Sequence, residues 1–156
     1  MTLKEHEPGA AGPDDPRTLG RTAAWLAKQV EIGVGSVDLS LPQYRILGML
    51  DESSAVSSDL AQRLAVRPPT VTAVVDGLVS RGLVARRTVE GDRRRVDHVL
   101  TAEGHRVLDA ADRAVHERLH EIAGSTGDAA GARRAFDGLA AWHDALVAYR
   151  KARWGR

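Results

Sequence analysis

The sequence predicts a mainly α-helical chain of the α+β class, with one β-hairpin set between four helices and two more, in the order α-α-α-α-β-β-α-α. Three observations predict it. Apolar residues recur at intervals of three and four along most of the chain, the period of a helix with one buried face. Only from Leu83 to Thr101 does the pattern become extended, in two β-prone runs flanking the charged segment Glu90-Gly91-Asp92-Arg93-Arg94-Arg95. Hydrophobic residues make up 43% of the 156 but aromatics only 4%, so a core must be built from Leu, Val and Ala, which suits helices better than sandwiches.

Residues 1–16 contain Pro8, Gly9, Gly12, Pro13 and Pro16 with little apolar content and read as a disordered tail. From Arg17, the spacing of Leu19, Ala23, Leu26, Val30 and Val34 predicts a first helix, which Gly33 and Gly35 are expected to end. The second begins at Ser40-Leu41-Pro42-Gln43, a capping box with proline just inside the start, and buries Ile46, Leu47 and Leu50 before Glu52. A short third helix is expected over 57–64, with Ser57 as N-cap and Asp59 in the first turn, where the helix dipole favours an anion. A break of three residues, Ala65, Val66 and Arg67, leads to Pro68-Pro69, which are favoured only in a first helical turn and so start a fourth helix. Its stripe is Val71, Val74, Val75, Leu78 and Val79, and Gly82 stops it. After the hairpin, Leu108, Ala111, Val115, Leu119 and Ile122 mark a fifth helix, broken at 124–127. Phe136, Leu139, His143, Leu146 and Val147 mark a sixth.

Composition excludes several classes of function. The chain has no cysteine, so disulfides, thiol redox chemistry and cysteine-bound zinc are ruled out. No run approaches the ~20 apolar residues that cross a bilayer, and no basic-then-apolar leader is visible, so no membrane partner and a cytoplasmic location are expected. Nor is there a glycine-rich phosphate loop, a nucleophile elbow or a paired acidic cluster, and an enzyme is not expected. Charge is informative in its distribution. Between Arg67 and Arg95 seven arginines face three acids, a local excess of four on a chain whose total is +1. Arginine forks onto phosphates and base edges, so this segment has the footprint of a nucleic-acid binder.

Two short helices joined by a three-residue turn and followed at once by a basic hairpin form a winged helix-turn-helix. The fourth helix packs one stripe inward and leaves Thr70, Thr72 and its first turn free for a major groove. Its positive end is expected to face phosphate. Arg93, Arg94 and Arg95, at the hairpin tip, reach toward the flanking minor groove.

At LAQRLAVRPPTVTAVVDGLVSRGLVARR, then GDRRR and VLTAEG, the chain resembles the multiple-antibiotic-resistance regulator (MarR) family, and the likeness extends from about Arg17 to Tyr149. The resemblance implies a homodimer that binds pseudo-palindromic double-stranded DNA operators, usually as a repressor, and releases them when a small phenolic or lipophilic effector binds. It implies dimerisation arms over 17–37 and 102–150, a DNA-binding domain over 38–101, and a basic tail over 151–156. Pro69, Thr70 and Thr72 match recognition-helix positions, Arg94 matches the wing-tip arginine, Asp92 matches the residue that orients it by a salt bridge, and Ser57 and Ser58 match positions that contact the DNA backbone. Arg67 departs from the pattern: family members often have an N-cap Ser or Asp there, so a cap worth about 1 kcal/mol is missing, and Arg67 is a candidate DNA contact instead. Pro68 is a helix starter first and a DNA neighbour second.

Further residues carry competing readings. Trp25, Tyr44 and Met49 are candidates for lining an effector cleft, though Trp and Met at helical spacing are more often core. His116 and His120, four apart on one helix, have the spacing of two metal ligands, and a zinc-responsive regulator is an alternative; the second helix offers Gln43 and Tyr44 but no histidine as a third ligand, so surface or interface histidines are favoured. No other cofactor is expected. His143 reads as a dimer-core residue. A winged-helix module docking another protein through its wing is the alternative from another class, and a steep salt dependence separates DNA binding from it.

Overall fold

The structure, a computed structural model, describes residues 15–89 and 92–154, with the side chains of 89, 92–95 and 154 outside that description. Its elements are α1 (Pro16–Gly35), α2 (Leu41–Glu52), α3 (Ser57–Leu64), α4 (Pro68–Ser80), β1 (Val84–Val89), β2 (Asp92–Leu100), α5 (Ala102–Gly124) and α6 (Ala129–Trp154). This is the predicted order. The expected disordered tail falls mostly outside the described residues, and its last two members belong to α1: Asp15 caps the helix by accepting from the Arg17 N–H at 3.2 Å, and Pro16 opens it.

Local chemistry accounts for most boundaries. At α2 the capping box is complete, with the Gln43 N–H donating to Ser40 Oγ at 3.4 Å and the Ser40 N–H to Gln43 Oε1 at 2.9 Å. Three expectations are corrected. Gly33 does not end α1, which runs through it and ends, as expected, at Gly35, with Ser36 as its C-cap. Gly33 serves contact instead, since a Cβ there would lie 3.1 Å from Val115 Cα and Cγ2, so α1 and α5 meet backbone to backbone. At α3 the N-cap is Val56, and Ser57 is already helical. The Val56 carbonyl accepts from the N–H groups of Asp59 and Leu60 at 3.1 and 3.2 Å, and no side chain caps this end. Lastly, α6 continues through Trp154, and Lys151 and Arg153 form its last turn rather than a separate tail, where cations suit the helix dipole.

The core gathers one face from α1 to α5. Ile46, Leu47, Leu60 and Leu78 are fully buried with Val34, Val71 and Val75, each large side chain contributing about 1.5–3 kcal/mol of burial. The strands β1 and β2 pair antiparallel, Val84 opposite Leu100. A third rung, invisible in the sequence, is a single bridge between Ala55 and His98, with the His98 N–H donating to the Ala55 carbonyl at 2.9 Å. The wing is joined to α5 by a tight corner. Thr101 Oγ1 donates to the Gly82 carbonyl at 2.7 Å and accepts from the Gly104 N–H at 3.0 Å, which makes it the N-cap of α5. Gly104 lies so close to the Leu83 carbonyl that no side chain fits between them.

By contrast, α6 has no buried side chain among its described residues. Leu139, Trp142, Leu146 and Tyr149 are 37%, 62%, 54% and 56% exposed. Together with Leu19, Ala23 and Leu26 of α1, the first three line an apolar cleft of about 530 Å³.

Candidate nucleic-acid interface

The geometry of α3 and α4 follows from their turn. Ala65 adopts a left-handed conformation (φ 55°), and its N–H closes onto the Ala61 and Gln62 carbonyls, which ends α3. Arg67 is extended (ψ 142°), as a residue before proline must be. It provides no side-chain cap, and none is needed. A capping side chain would bind the N–H of the second or third helical residue; the second is Pro69, which has none, and the Thr70 N–H already donates to the Arg67 carbonyl at 3.0 Å. The loss expected from Arg67 is therefore largely absent. For the same reason the start of α4 is not the anion-binding helix end the sequence suggested, because its first two residues have no N–H to offer.

α4 buries Val71, Val75 and Leu78 and exposes Arg67, Pro68, Pro69, Thr70 and Thr72 on the outward face. Thr72 Oγ1 donates to the Pro68 carbonyl at 3.1 Å, leaving its lone pairs outward. Ser57 is half-buried; Ser58 is exposed, with a long hydrogen bond of 3.4 Å to Asp59.

The wing differs from expectation in where it carries its charge. The register pairs Thr88 with Val96 and Val89 with Asp92, so residues 93–95 are extra residues of β2 with no partner on β1. Arg93, Arg94 and Arg95 thus form a bulge within the strand rather than the hairpin tip. Bulges of this kind re-aim a strand and sharpen its twist. The side chains of Asp92 and of these arginines lie outside the described residues, as does the expected salt bridge.

Two of the seven arginines are committed elsewhere. Arg86 pairs with Asp76 of α4. Arg81 Nη1 donates to the Asp38 carbonyl at 2.7 Å, with Nη2 3.3 Å from its carboxylate. Arg67 and Arg87 are exposed and carry no ion pair among the described residues. The uncommitted positive charge among the described residues is thus smaller than a count of arginines implies.

Polar ties that the sequence did not suggest hold this lobe to the arms. Tyr44 Oη donates to Asp112 Oδ1 at 2.6 Å, joining α2 to α5. Burial, with the Asp112 carboxylate as acceptor, pushes the Tyr44 phenol above its ordinary range, so it stays a donor. Glu52 Oε2 accepts from Arg63 of α3 at 2.5 Å and from Arg150 of α6 at 3.1 Å. Partial burial opposes its ionisation, but the two arginines outweigh that and hold the carboxyl below its usual range. These pairs are separated by 68 and 98 residues in the chain, and no local signal marks them. Among the effector-cleft candidates, Trp25 is 70% exposed and Met49 is half-buried against the core; none of Trp25, Tyr44 and Met49 lines the α1–α6 cleft. The rings of His116 and His120 pack tilted at 51° with centroids 4.2 Å apart, and His120 packs against Phe136 at 4.3 Å, tilted by 32°. No group of three or more His, Asp or Glu side chains converges as a metal site among the described residues. Nor is any helix among them long and apolar enough to cross a membrane.

Comparison with known proteins agrees with this geometry. A sequence profile of the MarR family matches residues 37–95. The HTH-type transcriptional repressor Rv2887 of Mycobacterium tuberculosis is 32% identical over 98 residues, covering 62% of this chain and 70% of that protein. The HTH-type transcriptional regulator FarR of Neisseria gonorrhoeae is 33% identical over 81 residues, and there the match spans 51% of this chain and only 56% of the relative. Among solved structures, the repressor CouR bound to a 23-mer DNA duplex superposes with a TM-score of 0.65 at 26% identity, over 83% of this chain and 89% of that one. NadR in complex with 4-hydroxyphenylacetate superposes with a TM-score of 0.67 at 24% identity, over 97% and 98%. The chain belongs to the MarR family, winged helix-turn-helix transcriptional regulators rather than enzymes.

Proposed function

We propose that the protein is a homodimeric repressor of pseudo-palindromic operators. In this reading residues 38–101 bind DNA, and 17–37 with 102–150 form the dimerisation arms. The observation that carries it is the division of α4, whose Val71, Val75 and Leu78 are sealed into the core while Arg67, Pro68, Pro69, Thr70 and Thr72 face outward beside the basic wing. Thr70 and Thr72 read base edges in the major groove. Ser57, Ser58 and Arg67 contact the backbone, and Arg93, Arg94 and Arg95 approach the flanking minor groove with Asp92 as their orienting partner.

A second subunit covers the apolar faces of α1 and α6. A long helix that buries no residue and exposes Leu139, Trp142, Leu146 and Tyr149 calls for such a cover, and dimerisation sets two recognition helices about 34 Å apart, one turn of duplex. The effector is a small aromatic or lipophilic molecule. Supporting this, NadR is known in complex with 4-hydroxyphenylacetate and a structure of CouR with p-coumaroyl-CoA. Sedimentation of wild type and of Leu146→Asp, followed by gel shift against DNA fragments selected from a random pool, tests the proposal. The wild type should be a dimer binding two-fold sequences, with affinity falling steeply as salt rises. A wild-type monomer, or DNA binding without sequence preference, would refute it; Leu146→Asp should dissociate the dimer and lose the operator.

A further inference from the structure

Beside the Glu52–Arg150 pair that reaches α6, two ties with a regular geometry join α2 of the DNA-binding lobe to α5 of the arm. Tyr44 of α2 meets Asp112 of α5 at 2.6 Å, and Asp51 of α2 meets His105 of α5 at 3.1 Å. On each helix the two positions are seven residues apart, and they run in opposite directions along the chain. Seven residues are two turns, so the ties are spaced about 10 Å along an antiparallel pair of helices. One tie permits α2 to pivot on α5, whereas two fix the angle.

The two ties differ in strength. His105 and Asp51 are each 54% exposed, so water competes for their pairing. The phenol of Tyr44 is half-buried and donates to a carboxylate, a short charge-assisted bond. α2 also packs against α4, while α5 packs against α1. The angle between α2 and α5 therefore contributes to the orientation of the recognition helix relative to the arm.

We infer that Tyr44 and Asp112 form a positioning latch that sets the spacing between the two recognition helices, and hence the operator spacer length the dimer accepts. This rests on the dimeric operator-binding reading above. Neither residue touches DNA in that reading. Asp112 is exposed, so it rehydrates when its partner is removed, and loss of the bond should leave the fold intact.

The test uses the full chain and a DNA duplex selected from a random pool, rebuilt with the spacer between half-sites lengthened and shortened by one base pair. Wild type should prefer the selected spacer. Tyr44→Phe should reduce that preference about 5- to 20-fold, with non-specific affinity unchanged and Tm within about 2 °C of wild type. Asp112→Ala should behave like Tyr44→Phe, while Asp112→Asn, whose amide oxygen still accepts from Tyr44, should retain most of the preference. An unchanged spacer preference in Tyr44→Phe overturns the latch, and so does a loss accompanied by a large fall in Tm, which would make Tyr44 merely structural. A wild type without spacer preference refutes the dimeric reading instead, and the two failures are thereby distinguished.

Discussion

Gly104→Ala is the sharpest test of the corner that joins the wing to α5. A Cβ at this position would lie well inside van der Waals contact with the Leu83 carbonyl oxygen, and 3.1 Å from both the Leu83 carbonyl carbon and Leu100 Cδ2. The carbonyl cannot swing aside freely, because it accepts from the Thr101 N–H at 3.1 Å and from Thr101 Oγ1 at 3.2 Å. Forced overpacking costs about 1–3 kcal/mol, and each weakened hydrogen bond adds about 1 kcal/mol. Against this, exchanging glycine for alanine in a helix gains at most about 1 kcal/mol, and less in the first turn. The net effect is a destabilisation of roughly 2–4 kcal/mol, or a fall in Tm of about 5–15 °C for a chain of this length. Circular dichroism melts at one fixed protein concentration measure it. Gly48→Ala is the control, since a Cβ there meets nothing within 4 Å, and it should raise stability by up to about 1 kcal/mol. If Gly104→Ala melts at or above the wild type, the close-approach argument for this corner is wrong.

Other perturbations address the interface and its surroundings. Arg94→Ala should weaken binding to all DNA sequences alike and flatten the slope of log affinity against log salt by about 1; an unchanged slope places that arginine off the DNA. Thr72→Ala should cost more on the selected operator than on random DNA, and equal losses would assign Thr72 to backbone contact. Glu52 makes a prediction in acid. Its folded pKa lies below the unfolded value, so its contribution is present above about pH 4.5 and is lost as pH falls through the depressed folded value. Because the carboxylate is 56% exposed, the contribution is below about 1 kcal/mol. Denaturant titrations of Glu52→Gln should show a shallower loss of stability than wild type below pH 4.5, and parallel curves would exclude the contribution.

Patterns that act locally were legible in the sequence. The apolar spacing of α4, the Ser40–Gln43 box and the proline pair each fix a few backbone angles through neighbours in the chain, and each element stands where its pattern placed it. What escaped was tertiary. Gly33 looked like a stop signal because glycine usually is one, but the approach of Val115 from 82 residues away explains it better. At α3 the helix starts at Ser57 itself, so Val56 holds the N-cap position and no side chain caps that end. The arginine run looked like a loop because charge near glycine favours turns, whereas strand pairing carries Asp92 and leaves 93–95 as a bulge. The Tyr44–Asp112 and Glu52 ties, like the single Ala55–His98 rung, depend on side chains that meet only after folding. Which bases α4 would contact depends on a duplex, which no residue pattern encodes by itself.

The contact at Gly33 has a mechanical consequence. Where two helices touch at their backbones, the soft side chains that would let them slide are missing, so α1 and α5 behave as one stiff beam. Bending such a beam is costly, so in the proposed dimer a wider or narrower grip would come from turning whole reading heads about its ends. A bulkier residue at position 33, such as valine, would act as a wedge that pries the beam open, and should alter grip width in the proposed dimer.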